Sequence, residues 1–157
     1  MPFMHDTVET ILKELLASMG LTATVARSEA AGQTIFSIVT SDPTEARALI
    51  GAHGDTVHAL DMIVKKIAEK RLPPEGAQDL HFLVDVNDYR VKQIKDLQTK
   101  ALMMAERARS FQYDVELSPM SAYERLIVHT TLQDAPNVRT ESAGEGKSRR
   151  VVIKYAA

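Results

Sequence analysis

Two glycines three residues apart, Gly51 and Gly54, separate a short helical pattern from a longer one. A chain can place Gly-x-x-Gly between helices only where the backbone must turn sharply or approach something closely. The segment is Leu49-Ile50-Gly51-Ala52-His53-Gly54. The helix ahead of it opens at Asp42-Pro43-Thr44-Glu45, with proline at its first position. The helix behind it starts near Asp55 and runs to about Arg71, with Val57, Leu60, Ile63, Val64 and Ile67 as its expected buried face. The free N–H groups and dipole of that second helix point at the turn and favour an anion there.

The flanking patterns extend this into an order of elements. Asp6 and Glu9 are spaced as a capping box, and Gly20 supplies a left-handed stop. Between them Val8, Ile11, Leu12, Leu15, Leu16 and Met19 make one helical stripe. Leu21–Ser28 and Thr34–Thr40 read as a hairpin about the turn Ala30-Ala31-Gly32-Gln33. His81–Val86 reads as a strand after the Leu72-Pro73-Pro74-Glu75-Gly76 break. Helix, two strands, helix, glycine turn, helix, strand amounts to an α+β layer pair.

Asn87 or Asp88 can cap a long helix to about Ser110, with Val91, Ile94, Leu97, Ala101, Leu102 and Ala105 apolar. Tyr113–Leu117 reads as a strand, and Ser121 with Glu124 forms a capping box for a helix to about Gln133. Val138–Glu141 and Arg150–Tyr155 pair around the Gly-rich hairpin 142–148. The chain therefore divides near residue 87 into a first domain, 1–87, and a second, 88–157, made of the long helix and a small α+β unit. Charge divides there too. The overall net is −2, but residues 1–87 hold 7 Lys/Arg against 12 Asp/Glu, a net of −5, and residues 88–157 hold 12 against 9, a net of +3. Polyanion attraction should come mainly from the second half.

On the last helix Arg125 and His129 lie four apart, on one face and one turn from each other, with Gln133 continuing that face. Leu126, Ile127 and Thr130 are expected to point to the core. Arginine offers a planar fork for phosphate oxygens, and histidine can donate to phosphate or stack on a base. Lys147, Arg149 and Arg150 add a basic cluster on the hairpin.

These motifs carry a resemblance. Residues 6–86 resemble a type II KH domain, with Gly51, Ala52, His53 and Gly54 as its GxxG loop; such a loop clamps the backbone of about four nucleotides. The middle positions, where Lys or Arg is usual in that family, are Ala52 and His53 here. Residues 110–155 resemble an R-three-H domain, a family associated with single-stranded nucleic acids. The match runs through Glu116-Leu117-Ser118-Pro119-Met120, Leu132-Gln133-Asp134 and 144–153, with Arg125 and His129 as the signature pair and a three-stranded sheet implied. KH followed by R-three-H is similar to the Jag (SpoIIIJ-associated) family of bacteria, without the N-terminal Jag domain its members often carry. The resemblance implies single-stranded RNA as partner, with DNA as the alternative. A KH-type protein partner or a homodimer is also implied, because some members pair with a small single-KH protein.

Other classes find little support. No Gly-x-Ser-x-Gly, phosphate-loop or cysteine nucleophile is present, so no enzyme activity is expected. The five histidines lack metal-ligand spacing, and no cofactor is expected. No secretory signal or long apolar run occurs, so the expectation is a cytoplasmic protein that does not insert in a membrane. The acidic first half leaves a competing reading, a scaffold in which that half pairs with another protein or with itself.

Overall fold

The computed structural model describes residues 2–78 and 80–157. They form two compact units, Met1–Val91 and Lys92–Ala157, each mixed α+β with a three-stranded sheet. The division falls inside one helix.

In the first unit the order is α1 (Pro2–Ser18), β1 (Thr24–Ala30), β2 (Gln33–Val39), α2 (Pro43–Ile50), α3 (Asp55–Arg71), α4 (Pro74–Ala77) and β3 (Phe82–Val86). Ala30 faces Gln33 across the hairpin, and Ala31 and Gly32 both have positive φ (51° and 72°). That pair of left-handed residues matches the twist of antiparallel strands. β2 then pairs with β3 in parallel, so the chain between them must cross over; α2 and α3 lie in that crossover. Val8, Ile11, Leu12 and Leu16 of α1 pack with Val57, Leu60 and Val64 of α3 over Phe36, Ile38, Phe82, Val84 and Val86 of the sheet. Phe36 and Phe82 meet edge to face at 5.4 Å.

Several details depart from the sequence expectation. Helix α1 begins at Pro2, so Asp6 is interior and does not cap; its carbonyl accepts the Thr10 hydroxyl, and Glu9 lies near Lys13 and Arg27 instead. Proline is tolerated in a first turn, and Met4 adds an apolar contact with the core, so the helix gains by starting early. On α3 the apolar Ile63 is 48% exposed while Asp61 is buried. Asp61 accepts the Val84 N–H at 2.9 Å and the Lys65 ammonium at 2.8 Å, and the Arg90 guanidinium lies 3.4 Å away. A buried carboxylate tolerates such a place when donors surround it.

The second unit contains most of α5 (Tyr89–Phe111), then β4 (Val115–Glu116), α6 (Ala122–Leu132), β5 (Val138–Ala143) and β6 (Arg150–Tyr155). The sheet order is β4-β6-β5, all antiparallel. Ala101, Ala105 and Ala108 of α5 are buried with Leu117, Val128, Leu132, Val151 and Ile153. The cap expected of Asn87 or Asp88 belongs to neither. Both have left-handed backbone, and Asn87 bonds the backbone of Thr40 through its side chain. The buried Asp85 carboxylate accepts the N–H groups of Val86, Arg90 and Val91 and so caps α5 from the end of β3. Leu102 is exposed rather than buried. Likewise Leu126 and Thr130 face outward, and Val128 and Leu132 join Ile127 as the buried residues of α6. Apolar identity alone favours burial, but the contact lined by Ala101, Ala105 and Ala108 sets which face of each helix turns in.

Among the described residues no helix is long and apolar enough to cross a membrane, and no group of three His, Cys, Asp or Glu could hold a metal ion.

Candidate nucleic-acid interface

Helix α6 starts on a complete capping box. Ser121 Oγ accepts the Glu124 N–H at 3.2 Å, and the Glu124 carboxylate accepts the Ser121 N–H at 2.7 Å. The segment ahead of the helix is pinned to the start of β6: the Met120 N–H donates to the Arg149 carbonyl at 3.2 Å and the Leu117 N–H to the Val151 carbonyl at 2.9 Å. These bonds bring the tip of the β5–β6 hairpin against the helix N-terminus. The result is an open depression of about 420 Å³ lined by Pro119, Met120, Ser121, Ala122, Arg125, Gly146 and Lys147. Arg125 is held at its wall by donating to the Met120 carbonyl at 2.8 Å. Arg125 and Lys147 thus stand beside the N-terminus of α6, the end where a helix dipole favours negative charge, while the one acid of that first turn, Glu124, is engaged in the cap.

The remaining expected residues of this unit have other engagements. His129 is half-buried, with Nδ1 2.6 Å from the Thr140 hydroxyl and Nε2 3.0 Å from that of Ser142, so it ties α6 to β5. Arg149 donates to the Gly144 carbonyl at 3.0 Å, and Arg150 pairs with Glu116 at 2.9 Å. Thus Arg125 and Lys147 share the depression, and His129, Arg149 and Arg150 brace the elements that form it. The Met120 and Gly146 contributions escape a sequence reading; the Ser121 box marks the helix start but not what meets it.

In the first unit Gly51 (φ 74°, ψ −176°) ends α2, and a tight 3₁₀ turn over Ala52–Gly54 leads into α3. A Cβ on Gly51 would sit 2.2 Å from the Thr56 hydroxyl, and one on Gly54 (φ 80°) 2.9 Å from the Tyr89 ring. Both glycines are therefore required by the turn itself. Ala52 and His53 are exposed at its tip, and His53 has φ 55°. No side chain caps α3, so its first N–H groups face the loop, with Asp55 in the same turn.

Residues 95–155 match the family model for the R-three-H domain. The second unit carries an R-three-H domain. Its match begins within α5, ahead of the 110–155 stretch that the motifs alone mark. The chain is also similar to the RNA-binding protein KhpB of Bacillus subtilis (strain 168), 34% identical over 113 residues, which cover 71% of this chain and 52% of that protein. The RNA-binding protein KhpB of Clostridium symbiosum is 32% identical over 105 residues, covering 67% and 46%. That of Lactiplantibacillus plantarum is 30% identical over 118 residues, covering 75% and 35%. The chain thus spans about a third to a half of the length of these relatives. Within residues 95–155, Arg125 lines the depression and His129 anchors the helix that carries both.

Proposed function

We propose that this chain is a cytoplasmic, non-catalytic protein that binds single-stranded RNA, with a backbone phosphate held by Arg125 and Lys147 at the N-terminus of α6. The meeting of those two cations in one depression is the observation that carries the reading. The relatives' names favour RNA over DNA as the strand. The first unit is read as a type II KH domain, supported by its order α1-β1-β2-α2-α3-β3, with the one-turn α4 between α3 and β3, about a Gly-x-x-Gly turn. In that reading the turn Gly51, Ala52, His53 and Gly54, exposed at Ala52 and His53 and closed by the buried Gly54, takes a second stretch of the same strand against the uncapped start of α3. Having no lysine or arginine, that loop contributes contact and register, and the R-three-H domain contributes most of the charge attraction.

Fluorescence anisotropy of a labelled single-stranded RNA, titrated with the intact chain at several salt concentrations, tests this. Neutralising two phosphates predicts a log–log slope of about −1.4 or steeper. Absence of binding at low salt overturns the proposal.

A second reading draws on α3, where Met62 and Ile63 are exposed beside Lys66, Ile67 and Lys70 in an apolar depression. There the first unit serves as a surface for pairing with a second copy. Light scattering would then give twice the chain mass, reverting to one on Met62→Glu with Ile63→Glu. A concentration-independent monomer sets self-pairing aside.

A further inference from the structure

Phe36 and Phe82 are wholly buried, yet Phe111 is 69% exposed and Tyr113 42% exposed, two residues apart at the end of α5. Their rings lie 6.0 Å apart, tilted by 45°. A specific turn holds them there. The Tyr113 N–H returns to the Ala108 carbonyl at 3.3 Å, and Gln112 adopts φ 54°, a left-handed helix end built without glycine. Arg107 Nε donates to the Tyr113 hydroxyl at 2.8 Å and fixes that ring.

We infer that Phe111 and Tyr113 form a stacking platform for unpaired bases, with Arg107 as its phosphate contact. The inference rests on the single-strand binding proposed above and extends it to a base-contacting surface. Three observations favour a nucleic-acid strand over a protein segment as occupant. The first is charge. The unit Lys92–Ala157 holds 11 Lys/Arg against 8 Asp/Glu, a net of +3. The second is how the nearby charges are committed. Glu106 is bound by Arg109 and Ser110, whose hydrogen bonds hold its carboxyl below the usual carboxylate range, and Glu116 is bound by Arg150. Asp114 accepts the Tyr155 N–H. The Arg107 guanidinium, bonded through Nε alone among the described residues, keeps its terminal nitrogens for a ligand.

The third is continuity with the phosphate site. Asp114 meets Tyr155 at one end of β6, and Met120 meets Arg149 at the other, beside Arg125 and Lys147. Arg149 and Tyr155 are six residues apart, roughly 20 Å at about 3.4 Å per residue. One strand of nucleic acid laid along this sheet would span both, phosphate at one end and stacked bases at the other. Stacking on an aromatic ring tolerates any base, so the platform adds affinity without sequence preference.

The test uses the full chain, which contains no tryptophan, so Phe111→Trp introduces a single reporter. Its emission should be quenched by a single-stranded RNA 12-mer and unaffected by an abasic strand of equal length and charge. In anisotropy, Phe111→Ala should weaken RNA binding about tenfold with the salt slope unchanged. Tyr113→Phe, which keeps the ring but loses the Arg107 bond, should fall between. RNA binding that is indifferent to Phe111→Ala overturns the platform and leaves the phosphate site standing, as does Phe111→Trp emission that ignores RNA while anisotropy reports binding. Wild-type chain that binds no RNA overturns both.

Discussion

Asp85→Ala should lower the stability of the first unit by about 3–5 kcal/mol, the largest effect expected of a single side chain here. The carboxylate is fully buried and accepts three backbone N–H groups, at 2.7 Å from Val86, 2.8 Å from Arg90 and 3.1 Å from Val91. Alanine leaves those donors without an acceptor and removes the cap of α5 together. Urea unfolding by circular dichroism reads the loss, and amide exchange at Arg90 and Val91 locates it: both should be protected in the wild type and exchange rapidly in the variant. Asp85→Asn retains one acceptor oxygen and should cost less than alanine. An unchanged urea midpoint for Asp85→Ala would show that the cap carries no energy.

Arg125→Gln with Lys147→Ala should weaken single-stranded RNA binding about thirtyfold near 0.1 M salt, taking about 1 kcal/mol for each exposed phosphate contact. The salt slope should also become shallower by about 1.4, because two phosphates are no longer neutralised. Glutamine at 125 can still donate to the Met120 carbonyl, which separates lost charge from a lost strut. Arg149→Ala and Arg150→Ala are the contrast. Their guanidinium groups hold the Gly144 carbonyl and Glu116, so their loss should change affinity less than that of Arg125 and Lys147. Equal losses from both pairs would mean that the hairpin as a whole, not the helix N-terminus, meets the phosphates.

Much of the local structure was legible because its causes are local. The Ser121–Glu124 box, the Ala31-Gly32 turn and the left-handed stop at Gly20 each follow from a few consecutive residues, and each stands where its chemistry places it. The α5 cap was not legible, because its acceptor lies on the preceding strand and its apparent candidates, Asn87 and Asp88, sit in left-handed backbone. Ile63 and Leu126 misled for a related reason. An apolar residue states that burial would be favourable, while the neighbouring element decides which face is covered. Asp61 takes a buried position on α3 because Val84 and Arg90 arrive from elsewhere and join Lys65 of the same helix in satisfying it.

The candidate site divides in the same way. Residue types and spacing alone determined that this chain alternates helices and strands in two parts, that Gly51 and Gly54 bound a turn between helices, and that Arg125 and His129 share a helix face. These are consequences of backbone periodicity, and they need no partner. Which cations meet was decided by the tertiary structure. Bonds from Met120 and Leu117 to β6 carry Lys147 to the start of α6, while Thr140 and Ser142 engage His129 and Glu116 engages Arg150. A charge becomes a binding group or a brace according to what lies opposite it, and in this protein that neighbour comes from a distant part of the chain.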